Sequence, residues 1–528
     1  MTFHRLTAPA EDGDWLAHPD PGAWRDLLYR NVENFNSSNA NVGGRKWADW
    51  RSLVRSEIED FDQGTAADGP LVVSGHQPEL FHPGVWIKNF AAMGFARSVD
   101  GRALHIVTDN DLLKRTTVAV PGGTLESPLV AQLPFDQWTG EEPFEDRRVQ
   151  DESVFESFAD RAAPYLQNLP FDTLLPTYWR YAKECGSPLL KTRFSQPRNR
   201  LEFEWGVGGD ETTLSRFCQP SKRGFFLLAA DVMLRAAEYR EVYNDELHAY
   251  RRKQKIRSTH HPAPDLETVG EGVEVPFWAW KPGGQRQRPI VELNGGRFRL
   301  STAGETILDI ALPSTGDVDA LAESLANLSE WKIRFRALMT TTFLRLGLAD
   351  LFIHGLGGAK YDEWNDAVMR RFWSIEPPAY AMITATLRLP LGDWNIDSAA
   401  AIRGLERRRR DLHWNPERYI DDALLERAPI CDWVEEKVRL QQSEPATKKE
   451  RRARARRFRE VNESLREFVS ASIRETTEAI ARAESDAAAR SLMGSREFFF
   501  GFHPTNSLRS LLLPWLDWSQ PPQSRRHA

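Results

Sequence analysis

The sequence is poor in cysteine and has no long apolar run. Its 528 residues include three cysteines, Cys185, Cys218 and Cys431, which lie far apart and form no C-x-x-C pair. This spacing disfavours a disulfide scaffold or a structural zinc site, and free thiols favour a reducing compartment. The longest apolar stretch, residues 225–234, is too short for a bilayer, which takes ~20 residues. The first residues show no apolar signal region, so we predict a cytoplasmic protein without a membrane segment.

A strongly basic charge balance is also absent. The net charge is −6, with 41% hydrophobic and 27% charged residues, which is ordinary globular composition. Nucleic acid as the main partner is therefore disfavoured, because phosphate binding needs a basic surface. The basic run 448–459 leaves RNA binding as a weaker alternative, but acidic residues flank it and a solvated helix face explains it better.

Short apolar runs alternate with helical patterns in two parts of the chain. Residues 71–73 and 104–107 are typical of buried strands, and residues 85–97 between them have a helical pattern. Strand, helix, strand indicates a parallel sheet. We predict an α/β fold: a Rossmann-like parallel sheet core with a helical insertion and a long antiparallel coiled-coil arm. The predicted segments are 1–68 (helical), 69–149 (core), 150–270 (mainly helical insertion), 271–397 (core), 398–492 (coiled-coil hairpin) and 493–528 (a terminal segment packing on the core).

The first candidate site follows the predicted strand at residues 71–73. Its polar and glycine residues are Gly75, His76, Gln77, His82, Gly84 and Lys88. The carboxyl end of a parallel strand is where ligands bind in open α/β sheets. Histidines and a lysine near a helix start can bind phosphate or transfer protons. The alternative is a plain turn shaped by prolines, with histidines that satisfy backbone groups.

Two further candidate segments follow predicted strands. The second segment carries Asp109, Asn110, Asp111 and Lys114, which suit a hydroxyl-rich ligand, an amine or Mg²⁺, although turn capping is an equal alternative. The third segment is a glycine-rich loop that could cradle an anion, although its spacing is not that of a Walker P-loop. Its candidate residues are His354, Gly355, Gly357, Gly358, Lys360 and Tyr361.

Two family resemblances follow from these motifs. The run from Gly75-His76-Gln77-Pro78 to Phe81-x-Pro83-Gly84 resembles the opening of the WbqC family, which is linked to amino-sugar modification. The order of a Gly-Gln turn, an acidic strand end, a later Gly-Gly loop and a long helical arm resembles the BshC family, assigned to cysteine addition in bacillithiol synthesis. This chain departs from that family in having His76, His82 and Lys360.

The resemblances imply a ligase or transferase that joins an amino acid or acyl group to an amine, with an amino sugar as one candidate acceptor. In this hypothesis His76, His82, Asp109 and Asp111 are catalytic, and the other candidate residues bind a small polar or phosphorylated ligand. A bond-forming ligase needs activation, so ATP or ADP with Mg²⁺ is a candidate cofactor, although no sequence feature identifies it, and no residue set predicts a metal site of the chain's own. The coiled-coil arm implies a homodimer. The alternative function is a non-catalytic ligand-binding or scaffold protein that uses this arm. We also expect His76 and Gly357 to line one crevice.

Overall fold

In the computed structural model, the described residues are 3–58, 69–123, 128–258, 260–312, 317–336, 338–391 and 398–519. They divide into two compact units. The first unit contains residues 1–120, 131–389 and 496–528, and the second contains residues 121–130 and 390–495. The boundaries predicted after residues 68 and 397 adjoin segments outside the described residues.

The strands are short, and most of them belong to the first unit. They are β1 (Trp15–His18), β2 (Asn41–Val42), β3 (Arg45–Lys46), β4 (Leu71–His76), β5 (Arg102–Val107), β6 (Leu112–Leu113), β7 (Thr117–Gly123), β8 (Pro128–Pro134), β9 (Glu142–Pro143), β10 (Asp210–Thr213), β11 (Thr268–Val269), β12 (Gly272–Glu274), β13 (Phe277–Trp280), β14 (Ile290–Asn294), β15 (Arg297–Ser301), β16 (Thr306–Ala311), β17 (Lys332–Phe335), β18 (Leu351–His354) and β19 (Tyr380–Ala385).

The helices of the first unit flank these strands. They are α1 (Trp24–Ser37), α2 (Trp47–Ser56), α3 (Pro83–Ser98), α4 (Glu152–Glu156), α5 (Phe158–Leu166), α6 (Leu175–Glu184), α7 (Leu190–Glu204), α8 (Arg223–Leu234), α9 (Ala236–Gln254), α10 (Val318–Ala326), α11 (Leu338–Phe343) and α12 (Leu356–Trp373), with α18 (Thr505–Leu512) near the end of the chain. A π-helical turn, Leu344–Leu348, continues α11. None of the described helices combines the length and the apolar composition that crossing a bilayer requires.

The main sheet has six strands in the order β1-β19-β18-β4-β5-β10. Five strands run parallel, and only β1 at the edge is antiparallel to its neighbour. The prediction of an α/β fold with a mainly parallel sheet is therefore confirmed. β10 was not predicted, because its sequence Asp-Glu-Thr-Thr lacks an apolar pattern and lies among helices.

The connections that leave β4 and β18 run in opposite directions along the sheet, although the two strands are parallel. From β4 the chain continues to β5 and then β10 on one side, whereas β18 and β19 lie on the other side of β4. β4 and β18 are paired directly, with Phe352 opposite Val73. Adjacent strands whose connections leave in opposite directions open a crevice at their carboxyl ends, where ligands of α/β proteins bind.

Helix α3 fixes one wall of that crevice. Its residues are buried on almost every face, because it lies between the sheet and the C-terminal segment. A side chain at Gly94 would overlap the carbonyl oxygen of Trp515, so the helix can approach this segment only without a Cβ atom. The other face of the sheet contributes Val73 and Ile106 to the large hydrophobic core.

The second unit is mainly helical. Its helices are α13 (Ser398–Trp414), α14 (Asp422–Leu425), α15 (Ile430–Gln442), α16 (Lys448–Glu467) and α17 (Ser470–Met493). Helix α13 packs along α17, and α15 packs along α16. A small core that includes Leu412 and Leu465 is closed by the buried Lys437, whose amine donates to Asn462 at 2.8 Å.

Candidate functional site

Lys88, on α3, places its amine beside the carboxyl ends of β4 and β18. It is 2% exposed, and its amine donates to the carbonyl oxygen of Gly75 at 2.6 Å. The same amine lies 3.9 Å from where a Cβ atom of Gly355 would be, so it is also beside the start of α12. Burial, followed by repulsion from Arg198, lowers the pKa of Lys88 to about 7. At neutral pH this amine is therefore near its half-protonated state.

His76, the last residue of β4, is partly buried next to Lys88. Its Nδ1 faces the carbonyl oxygen of Gln77 at 3.1 Å, and its ring packs edge-on against Phe81. A carbonyl can only accept, so Nδ1 carries the proton and Nε2 is left as an acceptor in the neutral ring. Desolvation, followed by the charge of Lys88, lowers the pKa of His76 to about 3, which keeps the ring neutral.

His82 caps the N-terminus of α3. Its Nδ1 accepts from the backbone N–H of Gly84 at 3.1 Å, and its Nε2 lies 3.4 Å from a carboxylate oxygen of Glu497. Burial, followed by the charge of Arg496, lowers the pKa of His82 to about 3. Gly84 is buried against β19, where a side chain would overlap the carbonyl oxygen of Ala385. The structure therefore places both residues in the packing of the helix start.

The turn after β5 contains one buried and one accessible carboxylate. Asp109 is fully buried, and its carboxylate accepts from the backbone and hydroxyl of Ser215 and from the amine of Lys191, at 2.6–3.0 Å. Asn110 is buried too and donates to the carbonyl oxygen of Phe335 at 2.6 Å. These two side chains anchor the turn to its neighbours, whereas the predicted ligand residue Lys114 is exposed to solvent.

Asp111 points toward the first candidate segment. Its side chain is 46% exposed, and one carboxylate oxygen accepts from the amide of Gln77 at 2.9 Å. The other oxygen lies 3.4 Å from the guanidinium of Arg286. The Gln77 bond joins the loop after β4 to the loop after β5, so these two predicted segments form one surface.

The end of β18 is held by a buried charge network. The Nε2 of His354 lies 2.7 Å from Asp362, whose carboxylate also accepts from Arg345 at 3.0 Å and from Thr341 at 2.7 Å. The neighbouring His354 and Arg345 keep the pKa of Asp362 well below its usual range despite burial, so it stays ionised. Burial lowers the pKa of His354. The network fixes the orientation of the His354 ring.

The first turn of α12 is open. Gly355 occupies the cap position, where no side chain bonds to the helix, and Gly357 and Gly358 are exposed. A Cβ atom at Gly358 would lie 2.8 Å from Nδ1 of His354, while nothing lies within 4 Å of one at Gly357. The N–H groups at such a helix start, together with the helix dipole, attract anions.

Lys360 and Tyr361 lie one turn further along α12, away from its first N–H groups. The backbone carbonyl of Lys360 accepts from the Tyr250 hydroxyl at 3.1 Å, and the ring of Tyr361 packs against His261. Both residues are half-buried and contact the region around the end of α9.

A buried ion cluster supports the other side of Lys88. Arg198 pairs with Glu202 at 2.7 Å and also with Glu211 on β10. Glu202 in turn accepts from the side chains of Trp86 and Asn89 on α3 at 2.6–2.7 Å. The cluster ties α3 and α7 to the sheet and contributes the positive charge that lowers the pKa of Lys88.

The structure thus brings Gly75, His76, Gln77, Lys88, Asp111 and the first turn of α12 to adjacent strand ends of one sheet edge. Arg198, Arg286 and Arg345 were not predicted as site residues, whereas Asp362 lies in the third predicted segment, residues 354–363, without a role of its own. The spacing of Asp362 could have indicated its position. If α12 begins after Gly355, Asp362 lies four residues after Gly358, so the two residues are on the same helix face. The arginines come from distant segments without a motif.

These features define an α/β protein with a mostly parallel sheet and a candidate ligand site at its carboxyl edge. No group of three or more potential metal-ligating side chains occurs among the described residues. The chain matches no family model, and no curated protein is detectably similar to it.

Proposed function

We propose that the first unit binds the anionic part of a small ligand between the ends of β4 and β18 and transfers an acyl or aminoacyl group to an amine. The observation that carries the proposal is the position of Lys88. This amine is buried beside the carboxyl ends of β4 and β18. Within the described residues no carboxylate oxygen lies within 4.0 Å of it. Its hydrogen-bond partner is a neutral carbonyl.

A buried ammonium without a counter-ion is costly, which is why such a group tends to give up its proton. An anion bound next to Lys88 would supply the missing negative charge and keep the amine protonated. The open first turn of α12 adds N–H donors beside the same amine. Helix N-termini combined with a lysine are a common arrangement for phosphate groups.

The charge of Lys88 supports the transfer reaction. Once a bound anion keeps it protonated, the ammonium group can stabilise the negative charge that develops when an amine attacks an acyl group. The acceptor Nε2 of His76, beside this amine, can orient the attacking group. These roles fit the ligase or transferase activity that the resemblance to BshC and WbqC implies.

The donor set around α12 fits nucleotide phosphates, since N–H groups and an amine suit anionic oxygens. ATP would activate the acyl group when bound, and Mg²⁺ would enter with it through few protein ligands, as is usual for this ion. In this proposal the main sheet is a Rossmann-like core, and the protein works in the cytoplasm.

The second unit would then serve as a coiled-coil arm that pairs two copies of the chain. Val438 on α15 and Phe468, in the turn between α16 and α17, are 44% and 45% exposed and are accessible to a second copy of the chain. Sedimentation of the full chain before and after the double change Val438→Glu, Phe468→Glu tests this arm independently of the ligand site.

The ligand-binding proposal is tested by thermal unfolding and calorimetric titration with inorganic phosphate, ATP, ADP and UDP-sugars, with and without Mg²⁺. We expect one of these anions to raise the melting temperature of the wild type. A ligand at 100 times its dissociation constant stabilises the folded state by ~2.7 kcal/mol. In Lys88→Met, which keeps the length of the side chain and removes the charge, affinity should fall at least tenfold.

Lys183→Met is the matched control, because Lys183 is exposed on α6 and lies outside the site. This variant should bind like the wild type. Equal binding by wild type and Lys88→Met would contradict the proposed anion site, and the absence of any stabilising anion would favour the scaffold alternative.

A further inference from the structure

Helix α16 of the second unit begins with a strongly basic segment, residues 448–459. This segment contains two lysines and six arginines against a single acidic residue, Glu450. Most of its side chains are exposed, because the segment packs on α15 through one side only. On that side Phe458 lies against Lys437 of α15, whose amine is 5.5 Å from the ring centre. The remaining surface of the segment is open to a partner.

Five of the eight basic residues share the face of the segment that points away from α15. A helix turns by ~100° per residue, so these five fall within about 100° of its circumference. Phe458 and Val461, which pack inside the unit, lie on the opposite side. Between residues 448 and 459 this sector contains no acidic and no apolar residue. The five residues form the basic face: Lys448, Lys449, Arg452, Arg456 and Arg459.

The acidic residues that flank the basic face along α16 do not neutralise it. Glu450 folds back on the start of the helix, where its carboxylate accepts from two backbone N–H groups at 3.0–3.1 Å. Glu460 pairs with Arg457, outside the face, at 3.2 Å and reaches Arg456 only at 3.8 Å. Glu463 pairs with an arginine further along the helix, at 3.7 Å. These carboxylates are therefore already engaged elsewhere.

The acidic side chains of α15 leave the basic face uncompensated as well. Glu436 pairs with an arginine outside the face, at 2.7 Å. Asp432 and Glu435 lie about 140° and about 200° around α15 from Lys437, which contacts α16, so they point away from α16. Among the described residues, no carboxylate oxygen lies within 4.0 Å of a side-chain nitrogen of the basic face except at Arg456. The face therefore carries an uncompensated positive charge.

This concentration of charge is unfavourable for the helix itself. Lys448 and Arg456 each lie four residues from Arg452, and Arg459 lies three residues from Arg456. Like charges at these spacings are neighbours on the helix surface and repel one another. The lysines also stand at the positive end of the helix dipole, where cations are disfavoured. The stability of the helix therefore does not explain the pattern, whereas binding of a polyanion does.

The composition of the basic face selects among polyanions. Interfaces with proteins depend on buried aromatic or aliphatic anchors, and helices that lie on membranes bury an apolar side. Single-stranded nucleic acids stack their bases on aromatic rings. The face has none of these features, since Phe458, the one large apolar side chain of the segment, is turned toward Lys437. A surface of charge alone suits the phosphate backbone of a duplex.

We propose that the basic face of α16 binds the phosphate backbone of double-stranded DNA, with the helix lying in the major groove. A helix with its side chains is ~10–12 Å across, and the major groove of B-form DNA is ~12 Å wide. From Lys448 to Arg459 the face extends over ~16 Å, so its side chains reach phosphates on both walls. The deep, narrow major groove of A-form RNA does not admit the helix. Phosphate contacts make this binding independent of base sequence, and it does not depend on the proposed transfer function.

The test is fluorescence anisotropy of a labelled DNA duplex titrated with the full chain, from about 50 to about 200 mM salt. Each neutralised phosphate contributes about −0.9 to the slope of log affinity against log salt, so five contacts predict a slope of about −4.5. The double change Arg452→Gln, Arg459→Gln should weaken binding at least tenfold and make the slope shallower by about 2. Both side chains are exposed, and among the described residues no carboxylate lies within 4.0 Å of them. The melting temperature of this variant should therefore equal or exceed that of the wild type.

The double change Arg297→Gln, Arg299→Gln is the matched control. These arginines are exposed on β15 of the first unit and pair with Asp309, and their replacement changes the net charge by the same amount. This control and Lys88→Met should both bind DNA like the wild type. Because Lys88→Met alters the proposed ligand site and leaves α16 unchanged, failure of one proposal is distinguishable from failure of the other.

Three outcomes overturn the inference: the duplex does not bind at the lowest salt, the Arg452→Gln, Arg459→Gln variant keeps wild-type affinity, or a polyanion of another kind binds as tightly. Duplex RNA, single-stranded DNA and polyglutamate are the polyanions to compare. Equal binding of polyglutamate would assign the basic face to an acidic protein segment, and equal binding of duplex RNA would place the helix outside the major groove.

Discussion

Two helix starts at the same sheet edge differ in what occupies them. At the start of α3, the ring of His82 accepts from Gly84 N–H, and Gly84 itself is buried against β19. At the start of α12, the cap is a glycine without a side chain, and Gly357 and Gly358 face solvent. One helix start is filled by the protein, and the other is open to a ligand.

The difference shows that a strand, a glycine loop and a helix are not sufficient to define an anion site. The identity of the cap residue decides whether the helix N–H groups are already satisfied. The open start of α12 is also the one next to the Lys88 amine. The two features together distinguish a candidate ligand site from helix packing.

The largest expected effect is on the network that holds the open helix start. Asp362→Asn removes the charge between His354 and Arg345, which are buried with it. Removing one partner of a buried ion pair usually costs ~3–5 kcal/mol, so the free energy of unfolding should fall by about this amount. Urea denaturation at pH 7.5 measures it.

Asp366→Asn is the matched control for this prediction, because Asp366 pairs with the same Arg345 but is 29% exposed. Burial raises the pKa of Asp366 to about 6, so its ionised form is less favoured than that of Asp362, whose pKa lies well below the usual range. We expect a clearly smaller loss of stability. Equal losses would show that Asp362 has no special part in holding α12.

Lys88 gives the next largest effect, and the effect depends on pH. The unfolded chain keeps the Lys88 proton up to about pH 10.5, whereas the folded chain releases it near pH 7. The unfolded state therefore binds more protons between these values, so the stability of the wild type should rise with pH there, by at most ~1.4 kcal/mol per pH unit. The penalty of the buried charge is complete below pH 7.

The measurement is the free energy of unfolding of wild type and Lys88→Met from pH 6.5 to 9.5. Their difference should change with this slope, and saturating anion should flatten it because a bound anion keeps the amine protonated. Parallel pH profiles for the two proteins would show that Lys88 titrates normally and would contradict its role as a buried charge that a bound anion completes.

Much of the fold could be predicted from the sequence, but not the strand order. Short apolar runs at residues 71–73 and 351–353 indicate buried strands, because the side chains of such strands are buried on both faces of the sheet. These two strands pair directly, with Val73 opposite Phe352. Because they lie far apart in the chain, no local sequence pattern predicts the pairing. The short strand β10 carries only polar residues, so periodicity could not detect it.

The candidate site was predictable where its residues follow strands directly, as Gly75, His76 and Lys88 do. The roles of single side chains were not predictable, because tertiary neighbours decide them. Asp109 and Asp111 are equivalent in the sequence, yet Ser215 and Lys191 saturate the first, whereas the second is half exposed. The catalytic role predicted for Asp109 stays a prediction.

The smallest expected effects test the comparison of the two helix starts directly. Gly84→Ala places a methyl group against the backbone of β19, where neither partner can move easily, and overpacking of this kind usually costs ~1–3 kcal/mol. Gly357→Ala places the same methyl group in open space in the first turn of α12. There the substitution should stabilise the protein by ~0.4–1 kcal/mol, because alanine restricts the unfolded chain.

The opposite signs of these two changes are the expected result in urea denaturation. Gly357→Ala should keep its added stability without ligand but bind phosphate or nucleotide more weakly than wild type, because the methyl group occupies space beside the helix N–H groups. Gly84→Ala, measured at a temperature where it is folded, should keep its anion affinity because α3 is already capped. If Gly84→Ala weakened anion binding and Gly357→Ala did not, the ligand would lie at α3, and the comparison would have to be reversed.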